Sequence, residues 1–216
     1  DLDSIKKLDK NFNISNVVKD IISNRNFSSL GIEQYLSPTL RELTPNPMDL
    51  HDMDKAIDIC YEAILNKHKI GILGDYDVDG ASSSALIFNY LRDIGFKNLE
   101  VFIPDREKDG YGASKALFKK LIKKKPKLVI MVDCGSTSIE AINYLNEKKI
   151  KSLVIDHHEI TKPFPKANMI INPKKDNGYI EYDYLCASTL TYFFLNMLAN
   201  KIQCKDNLKK YLIYVL

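Results

Sequence analysis

Acidic and imidazole side chains follow three short apolar runs of the sequence, at the point where each run ends. They are Asp75, Asp77 and Asp79 in GDYDVDG, Asp133 in VDCG, and Asp156, His157 and His158 in DHHE. Residues two apart in an extended segment face the same side, so the three aspartates of the first group can turn toward a common point. Because carboxylates clustered without a cation would take up protons at a substantial cost, the pattern predicts a divalent metal site.

Each group has a simpler interpretation when it is taken alone. GDYDVDG opens like an EF-hand loop, but the twelfth position is Leu86, where such a loop needs a bidentate Glu, and the residues before it are typical of a strand. An acidic turn that caps the next helix is the ordinary interpretation of a single D-x-D, and adjacent histidines are often surface residues. The three groups together favour the metal site, whereas His51 and His68 stand apart and are interpreted as structural.

The donor set combines oxygen and nitrogen without a thiolate, and this favours Mn²⁺ or Mg²⁺ over structural zinc. Two such ions typically lie about 3.5 to 4 Å apart and suit the in-line attack of water on phosphorus. One ring of the adjacent histidines, His157 and His158, can then bind metal while the other faces the substrate, and Asp156 can orient a ring. The sequence therefore predicts hydrolysis of a phosphate ester.

Groups that could bind phosphate follow the same apolar runs. Residues 81–84, Ser82 among them, are predicted to begin a helix and to turn free backbone N–H groups toward the site, and the segment CGSTS, with Gly135, is predicted to do the same. Arg106 in IPDREKDGYG could bind a phosphate through two hydrogen bonds, or be an ordinary solvated loop arginine. The lysine run over residues 119–127 fits the exposed face of a helix, for which solvation is the default explanation.

Apolar runs alternate with helical periodicity through most of the chain. The predicted strands are KIGILGD, NLEVFIP, KLVIMVD, KSLVID and residues 168–172. The predicted helices cover residues 14–22, 51–67, 81–94, 114–124, 139–147 and 187–199, with a last helix from Asp206. Because each connection must cross the sheet, the alternation indicates an α/β fold, a doubly wound parallel sheet with helices on both faces and a helical C-terminal part. Such sheets bind ligands beyond the carboxyl ends of their strands, where the acids stand.

The composition indicates one globular domain with an N-terminal preface. The 216 residues, 45% of them hydrophobic, can bury a core, and a net charge of +3 is far from the strongly basic balance of a protein that coats nucleic acid. No apolar run reaches the length of a transmembrane helix. Four scattered cysteines form neither a zinc nor a disulfide pattern and indicate a reducing cytoplasm. The first residues contain no start Met or signal peptide, and both ends are interpreted as cuts.

The motifs GDYDVDG, IPDREKDGYG, VDCG and DHHE, in this order, resemble those of the DHH phosphoesterase superfamily, and specifically of its RecJ-type single-stranded-DNA 5′ to 3′ exonucleases. The lead-in LSPTLRELTPNPMDLHDMDKAI and the tripeptide INP after DHHE support the narrower resemblance. It extends from about Tyr35 to Leu198. It implies a preface over residues 1–47 and a DHH phosphoesterase domain over residues 48–216, truncated before its fourth motif and before a second domain.

The resemblance also implies roles for the residues. Asp77, Asp79, Asp133 and His157 would ligate two Mn²⁺ or Mg²⁺ ions, with Asp133 bridging them. His158 would contact the scissile phosphate, and Asp75 and Asp156 would support the ligands. The implied partner is single-stranded DNA, in repair and recombination in the cytoplasm. A helicase and a single-strand-binding protein are further partners that the residues themselves cannot specify.

Two departures from the family pattern limit these expectations. A further acidic ligand is expected beyond the helix that KKYLIYVL begins, and the segment LCASTLTYFF stands where much of the family has a glycine-rich helix start. The 216-residue chain is therefore expected to bind metal incompletely and to degrade DNA poorly. Two alternatives stay open: a DHH enzyme that acts on short nucleotides, and a catalytically silent nucleic-acid-binding scaffold. The intact acids argue against the scaffold.

Overall fold

The structure is a computed structural model that describes residues 14–25, 29–105, 115–175, 182–204 and 208–215. It divides into two compact units, Asp1–Pro45 and Asn46–Leu216. The first unit contains helices α1 (Asn16–Ser23), α2 (Ser29–Leu36) and α3 (Leu40–Leu43). Its small core joins Ile22 of α1 to Ile32 of α2. The helix predicted at residues 14–22 is confirmed. The prolines of LSPTLRELTPNP predict an extended connection, but this segment contains α3, because the Thr39 side chain accepts a hydrogen bond from the Glu42 amide and caps a helical turn.

The second unit alternates helices and strands. After a 3₁₀ turn at Pro47–Asp49, its elements are α4 (Met53–Leu65), β1 (Ile70–Gly74), α5 (Val78–Asp93), β2 (Leu99–Phe102), α6 (Lys115–Ile122), β3 (Leu128–Val132), α7 (Ile139–Glu147), β4 (Lys151–Ile155), β5 (Met169–Ile171), α8 (Ala187–Ile202) and a 3₁₀ helix at Leu208–Tyr214. The five strands form one parallel sheet in the order β2-β1-β3-β4-β5. The predicted doubly wound α/β fold is confirmed.

Alternate residues of each strand pack into two separate cores, one on each face of the sheet. Ile130 and Val132 of β3 join the core that contains residues of α4, α5 and α8, whereas Val129 and Met131 join the core that contains residues of α6 and α7. A strand covered on both faces must be apolar throughout, and the five residues of β3 are all buried. Helices on both faces leave the two ends of the sheet for loops, and one of these ends carries the acids.

Two helices differ from the prediction in ways that matter for the site or for the C-terminus. Helix α5 begins at Val78, three residues earlier than predicted, because the Asp77 side chain accepts a hydrogen bond from the Gly80 amide and caps the helix. Asp79 is therefore a first-turn helical residue, and the three aspartates of GDYDVDG do not share one extended segment. At the C-terminus, residues 208–214 form a 3₁₀ helix in place of the predicted continuous helix.

Asp52 ties the start of α4 to the far edge of the sheet. It has a φ of 63°, and its Oδ2 atom accepts hydrogen bonds from the Ile170 amide of β5 (3.3 Å) and from Lys175 Nζ (2.6 Å). Burial of Asp52 opposes ionisation, but the hydrogen bonds from Lys175 and Ile170 outweigh it, so the pKa of Asp52 is lowered. The contact therefore contributes stability when Asp52 is ionised.

We expect Asp52→Asn to lower the free energy of unfolding by about 1 to 2 kcal/mol at pH 7, because a charge-assisted hydrogen bond is lost while asparagine still tolerates the left-handed backbone. The lowered pKa means that the contribution is complete above the unfolded value of 3.8 and disappears as the pH falls through the folded value. Urea denaturation at pH 7 and pH 3 checks both expectations. Asp54→Asn, at an exposed position of α4, is the control. An equal loss in the two variants would contradict the assignment.

Among the described residues, no helix combines the length and the apolar character that a membrane-spanning segment requires.

Candidate metal centre

The carboxyl ends of three adjacent strands bring most of the predicted site residues to one edge of the sheet. β1, β3 and β4 end level with one another, and the next residue of each strand is a buried aspartate: Asp75, Asp133 and Asp156. The chain order changes direction between β1 and β3, which is where doubly wound sheets bind ligands.

Asp133 is the most constrained of these aspartates. Its φ of 58° lies in the left-handed region, and its side chain is 1% exposed. Among the described residues, neither of its carboxylate oxygens has a hydrogen bond of good geometry. Burial, together with the nearby carboxylates of Asp77 and Asp79, raises the pKa of Asp133 to about 6. A buried carboxylate that lacks donors and lies beside other carboxylates is suited to a cation.

His157 faces Asp133 across the edge. Its Nε2 atom lies 3.3 Å from Asp133 Oδ1 and 3.7 Å from Asp79 Oδ2. The contact with Asp133 raises the pKa of His157, while burial opposes the change. A neutral ring would turn a lone pair toward the two carboxylates, so these three groups could ligate one cation.

Asp77 and Asp79 reach the edge from the start of α5. Asp77 Oδ1 caps the helix through the Gly80 amide, and the pKa of Asp77 is lowered because this bond, among others, outweighs the effect of burial. Both oxygens of Asp79 accept backbone hydrogen bonds from the first turn of α8, from the amides of Ala187 (2.7 Å) and Ser188 (2.8 Å). Asp79 therefore also anchors the start of α8, which lies 108 residues later in the sequence.

Asp156 organises the two histidines. Its Oδ1 accepts the backbone N–H of His157 at 2.8 Å and lies 2.8 Å from His158 Nδ1, while Oδ2 accepts the Ser136 amide at 2.9 Å. Burial would raise the pKa of Asp156, but the bonds to His158 and Ser136 lower it to about 2. The same contact raises the pKa of His158 to about 9, so that this ring is charged at neutral pH. Asp156 thus fixes the orientation and the proton of His158.

Asp75 follows β1 at this edge, beside Asp133, and is fully buried. Its Oδ1 accepts the Tyr76 amide at 2.7 Å, and its Oδ2 has no hydrogen-bond partner among the described residues. A Cβ atom at Gly80 would lie 2.6 Å from the Asp75 nitrogen, so α5 packs directly on this residue. Asp75 can therefore support the site from below.

The structure brings together the ligand atoms of Asp133, His157 and His158, which all lie within 4.8 Å of one another. Asp79 lies at the rim of this group, with its Oδ2 atom 3.7 Å from His157 Nε2. Asp77 lies near enough to Asp133 to raise the pKa of Asp133. His158 has the right geometry for a ligand, but its Nδ1 atom is held by Asp156.

The predicted phosphate-binding groups are placed differently. Ser82 lies inside α5, half-buried, so its backbone N–H is not one of the free groups of the first turn. Gly135 has a φ of 116° and lies in a turn, and α7 begins only at Ile139. Gly135 is therefore separated from the helix by residues 136–138. Arg106 lies outside the described residues.

Asn172 is a supporting residue that reasoning about the acids alone did not single out. It is buried, and its Nδ2 atom donates to the Ser136 hydroxyl (2.8 Å) and to the His158 carbonyl (2.9 Å). These bonds hold the turn after β3 against the turn after β4. The tripeptide INP, which contains Asn172, is the sequence signal that could have identified it.

Comparisons with known proteins identify a family model and several relatives that match this chain. The model of the DHH family, N-terminal domain, matches residues 69–216. The single-stranded-DNA-specific exonuclease RecJ of Haemophilus influenzae is 38% identical over 138 residues, 64% of this chain and 24% of its own length. RecJ of Bacillus subtilis is 28% identical over 175 residues, 81% of this chain and 22% of its own length. The chain thus spans about a quarter of these relatives.

This chain is also similar to a crystal structure of exonuclease RecJ bound to manganese. The matched region covers 71% of this chain and 38% of the chain in that structure, with a TM-score of 0.65 and 25% sequence identity. The resemblance that the motifs predict is confirmed. Because the family model covers well over half of the sequence, including every described residue of the metal centre, this chain belongs to the DHH family.

Proposed function

We propose that this chain is the N-terminal catalytic part of a single-stranded-DNA exonuclease that depends on divalent metal ions. The observation that carries the proposal is Asp133, a buried carboxylate that has no hydrogen bond of good geometry to a described residue and that faces His157 where β1, β3 and β4 end. The RecJ relatives, named for this activity, support the choice of substrate. Because the chain spans only part of them, the substrate and partners of the whole protein belong to the proposal.

The metal ligands in this proposal are Asp77, Asp79, Asp133 and His157, which would hold Mn²⁺ or Mg²⁺. When bound, such ions activate water and offset the negative charge of a phosphodiester. The neighbouring RecJ structure bound to manganese supports this choice of ions. Contact with the phosphate and support of the metal ligands are the roles of other side chains of this chain.

His158 is the residue we assign to the scissile phosphate. Asp156 holds the Nδ1 proton, so the ring is positively charged at neutral pH and its Nε2–H group can donate to a phosphate oxygen. The buried Asp75 and Asp156 keep the loops after β1 and β4 in place. Ser82, Gly135 and Arg106 remain the proposed phosphate-binding groups. We place the reaction in DNA repair and recombination in the cytoplasm, where a helicase and a single-strand-binding protein would be partners.

The metal part of the proposal is tested by calorimetric titration with Mn²⁺. We expect Asp77→Ala and His157→Ala each to weaken binding at least about 10-fold, because each removes a ligand. His68→Ala, on the loop that precedes β1, should bind as the unchanged protein does. Equal affinity in all four proteins would contradict the assigned ligands.

The substrate is tested by comparing hydrolysis of a long single strand with that of a dinucleotide in Mn²⁺. Release of mononucleotides from the long strand at the higher rate supports the exonuclease. A preference for the dinucleotide would instead assign the site to short nucleotides. Loss of hydrolysis in His157→Ala shows that the activity belongs to this site.

A further inference from the structure

The edge of the sheet opposite the metal centre carries a repeated pair of lysines. The pattern Lys-x-Lys occurs where the chain enters β1, β3 and β4. The pairs are Lys67 and Lys69, Lys125 and Lys127, and Lys149 and Lys151, of which Lys151 is already the first residue of β4. We refer to these six residues as the lysine edge. It lies about 17 Å from the metal centre, the length of a five-residue strand.

Strand pairing aligns Lys69 with Lys127, whereas Lys151 lies one residue further along its strand, level with Leu128. The Lys127 amide donates to the Lys69 carbonyl (2.8 Å), and the Lys151 amide donates to the Lys127 carbonyl (3.0 Å). Neighbouring strands lie about 4.8 Å apart, so the three strand entries together span about 10 Å. Because successive residues of a strand face opposite sides of the sheet, the side chain of Lys151 leaves the other face from those of Lys69 and Lys127. The backbone of the sheet fixes the spacing of the three entries.

The first lysine of each pair occupies a backbone conformation that favours glycine. The φ angles of Lys67, Lys125 and Lys149 are 54°, 57° and 56°. At the equivalent turn after α5 the chain has Gly95, with a φ of 86°. Since glycine is the usual residue where a helix ends in this conformation, three lysines here accept backbone strain that glycine would avoid. A cation near a helix C-terminus is favourable, but an unstrained neighbouring position would provide the same charge.

The charges of the lysine edge are largely available to a ligand. Lys67, Lys125, Lys127 and Lys149 are exposed and Lys69 is half-buried, and none of the five forms an ion pair with a described residue. Lys151 pairs with Glu62 at 2.8 Å, on a surface where both side chains are about half exposed. These positive charges therefore lie together at one edge of the sheet, in a chain whose total formal charge is only +3.

We propose that the lysine edge binds the phosphate backbone of a nucleic acid, as a second contact surface separate from the metal centre. Lysines act as point charges on phosphates, and one nucleic-acid strand presents a charge every 3.4 Å or so along its axis, so the three strand entries that carry the lysines span several phosphates. The proposal does not depend on the exonuclease activity, because the surface shares no residue with the metal centre.

Substitution of the first lysine of each pair by glycine should remove charge without destabilising the fold. The triple variant Lys67→Gly, Lys125→Gly and Lys149→Gly removes three charges at positions whose backbone suits glycine, so we expect its melting temperature to equal or exceed that of the unchanged protein. A control with the same net charge changes exposed lysines elsewhere: Lys55→Gln, Lys119→Gln and Lys209→Gln.

Binding of a labelled 20-nucleotide single strand and of a 20-base-pair duplex is measured by fluorescence anisotropy in EDTA, between 25 and 200 mM salt. In EDTA neither metal binding nor cleavage contributes. For the single strand, we expect the glycine variant to bind at least about 10-fold more weakly, and the slope of log K against log salt to fall by about 2, since each lost contact removes about 0.7. The control should change much less. Lys69→Gln with Lys127→Gln should weaken binding in the same direction, so a folding defect in the glycine variant does not leave the proposal without a test.

Three results would overturn the proposal: no binding of either nucleic acid by the unchanged protein, equal weakening in the control, or binding to polyglutamate at least as tight as to DNA. The last result would assign the surface to an acidic protein segment. Mn²⁺ titration of the glycine variant should match that of the unchanged protein, so failure here is distinguishable from failure of the proposed function.

Discussion

Asp133→Asn should make the metal-free protein more stable while it removes the stabilisation that Mn²⁺ provides. Asp133 is buried and has no hydrogen bond of good geometry to a described residue. Burial and two neighbouring carboxylates, opposed by the contact with His157, raise its pKa from 3.8 to about 6. Ionising it in the folded state at pH 7 therefore costs about 3 kcal/mol as an upper figure, since each pKa unit corresponds to about 1.4 kcal/mol. Asparagine has nearly the same shape and tolerates the left-handed backbone, but it carries no charge.

The effect of Asp133→Asn on the stability of the metal-free protein depends on pH. Because folded Asp133 binds its proton more tightly than unfolded Asp133 does, the metal-free protein loses stability on this account as the pH rises from about 4 to about 6, and the loss is complete above pH 6. His158 is charged in both states at the acid end of this window, so it adds slope mainly as the pH approaches and passes 6.5, where the unfolded ring loses its proton while the folded ring, with a pKa of about 9, keeps it. Asp133→Asn should therefore match the unchanged protein near pH 4 and exceed it by several degrees in melting temperature at pH 7.

Thermal melting in EDTA and in Mn²⁺ measures both parts of the prediction. In Mn²⁺ the unchanged protein should gain stability and the variant should not, because a ligand that binds only the folded state stabilises it. A variant that melts lower than the unchanged protein in EDTA at pH 7 would show that Asp133 is satisfied within the fold, and would remove the main argument for the cation.

Gly80→Ala should cause the largest loss of stability of any variant considered. A Cβ atom at Gly80 would lie 2.5 Å from the Asp75 carbonyl oxygen and 2.6 Å from its nitrogen, and backbone atoms cannot rotate away as a side chain can. Either α5 or the loop after β1 must move, at an expected cost of about 3 kcal/mol or more. The same displacement would break the Asp77–Gly80 cap, so Mn²⁺ binding should be lost as well.

Gly95→Ala is the matched control. Gly95 has a φ of 86°, but nothing lies within 4 Å of a Cβ atom built there. Its cost should be conformational only, about 1 to 2 kcal/mol, with Mn²⁺ binding unchanged. Urea denaturation of both variants measures the difference. Equal losses would mean that contact with Asp75 does not decide the requirement for glycine at position 80.

The sequence predicted the parallel sheet well because its strands are buried on both faces and are therefore apolar without interruption. It also placed Asp75, Asp133 and Asp156 at the ends of strands, and the alternation of strands and helices brings those ends to one edge. Spacing misplaced the start of α5, because a cap by Asp77 and a close contact at Gly80 decide that boundary, and periodicity does not report either.

The contacts of Asp79 and the backbone of Asp133 could not be predicted from local patterns. Asp79 binds amides that lie 108 residues later in the chain, a pairing that only the folded arrangement of α5 and α8 creates. The positive φ of Asp133 arises where the chain leaves β3 and turns sharply. The residue type alone does not predict this backbone conformation. The Lys-x-Lys repeat is visible in the sequence, but only the parallel pairing of β1, β3 and β4 brings its three copies to one edge of the sheet.

The bonds from Asp79 to the first turn of α8 also set the time at which the centre can mature during synthesis. A ribosome that adds about 5 to 20 residues per second needs roughly 5 to 20 seconds to extend the chain by the intervening 108 residues. Until Ala187 and Ser188 emerge, a nascent chain already displays its aspartates but lacks the amides that hold one of them. Full assembly of the centre thus reports that translation has passed the last strand of the sheet.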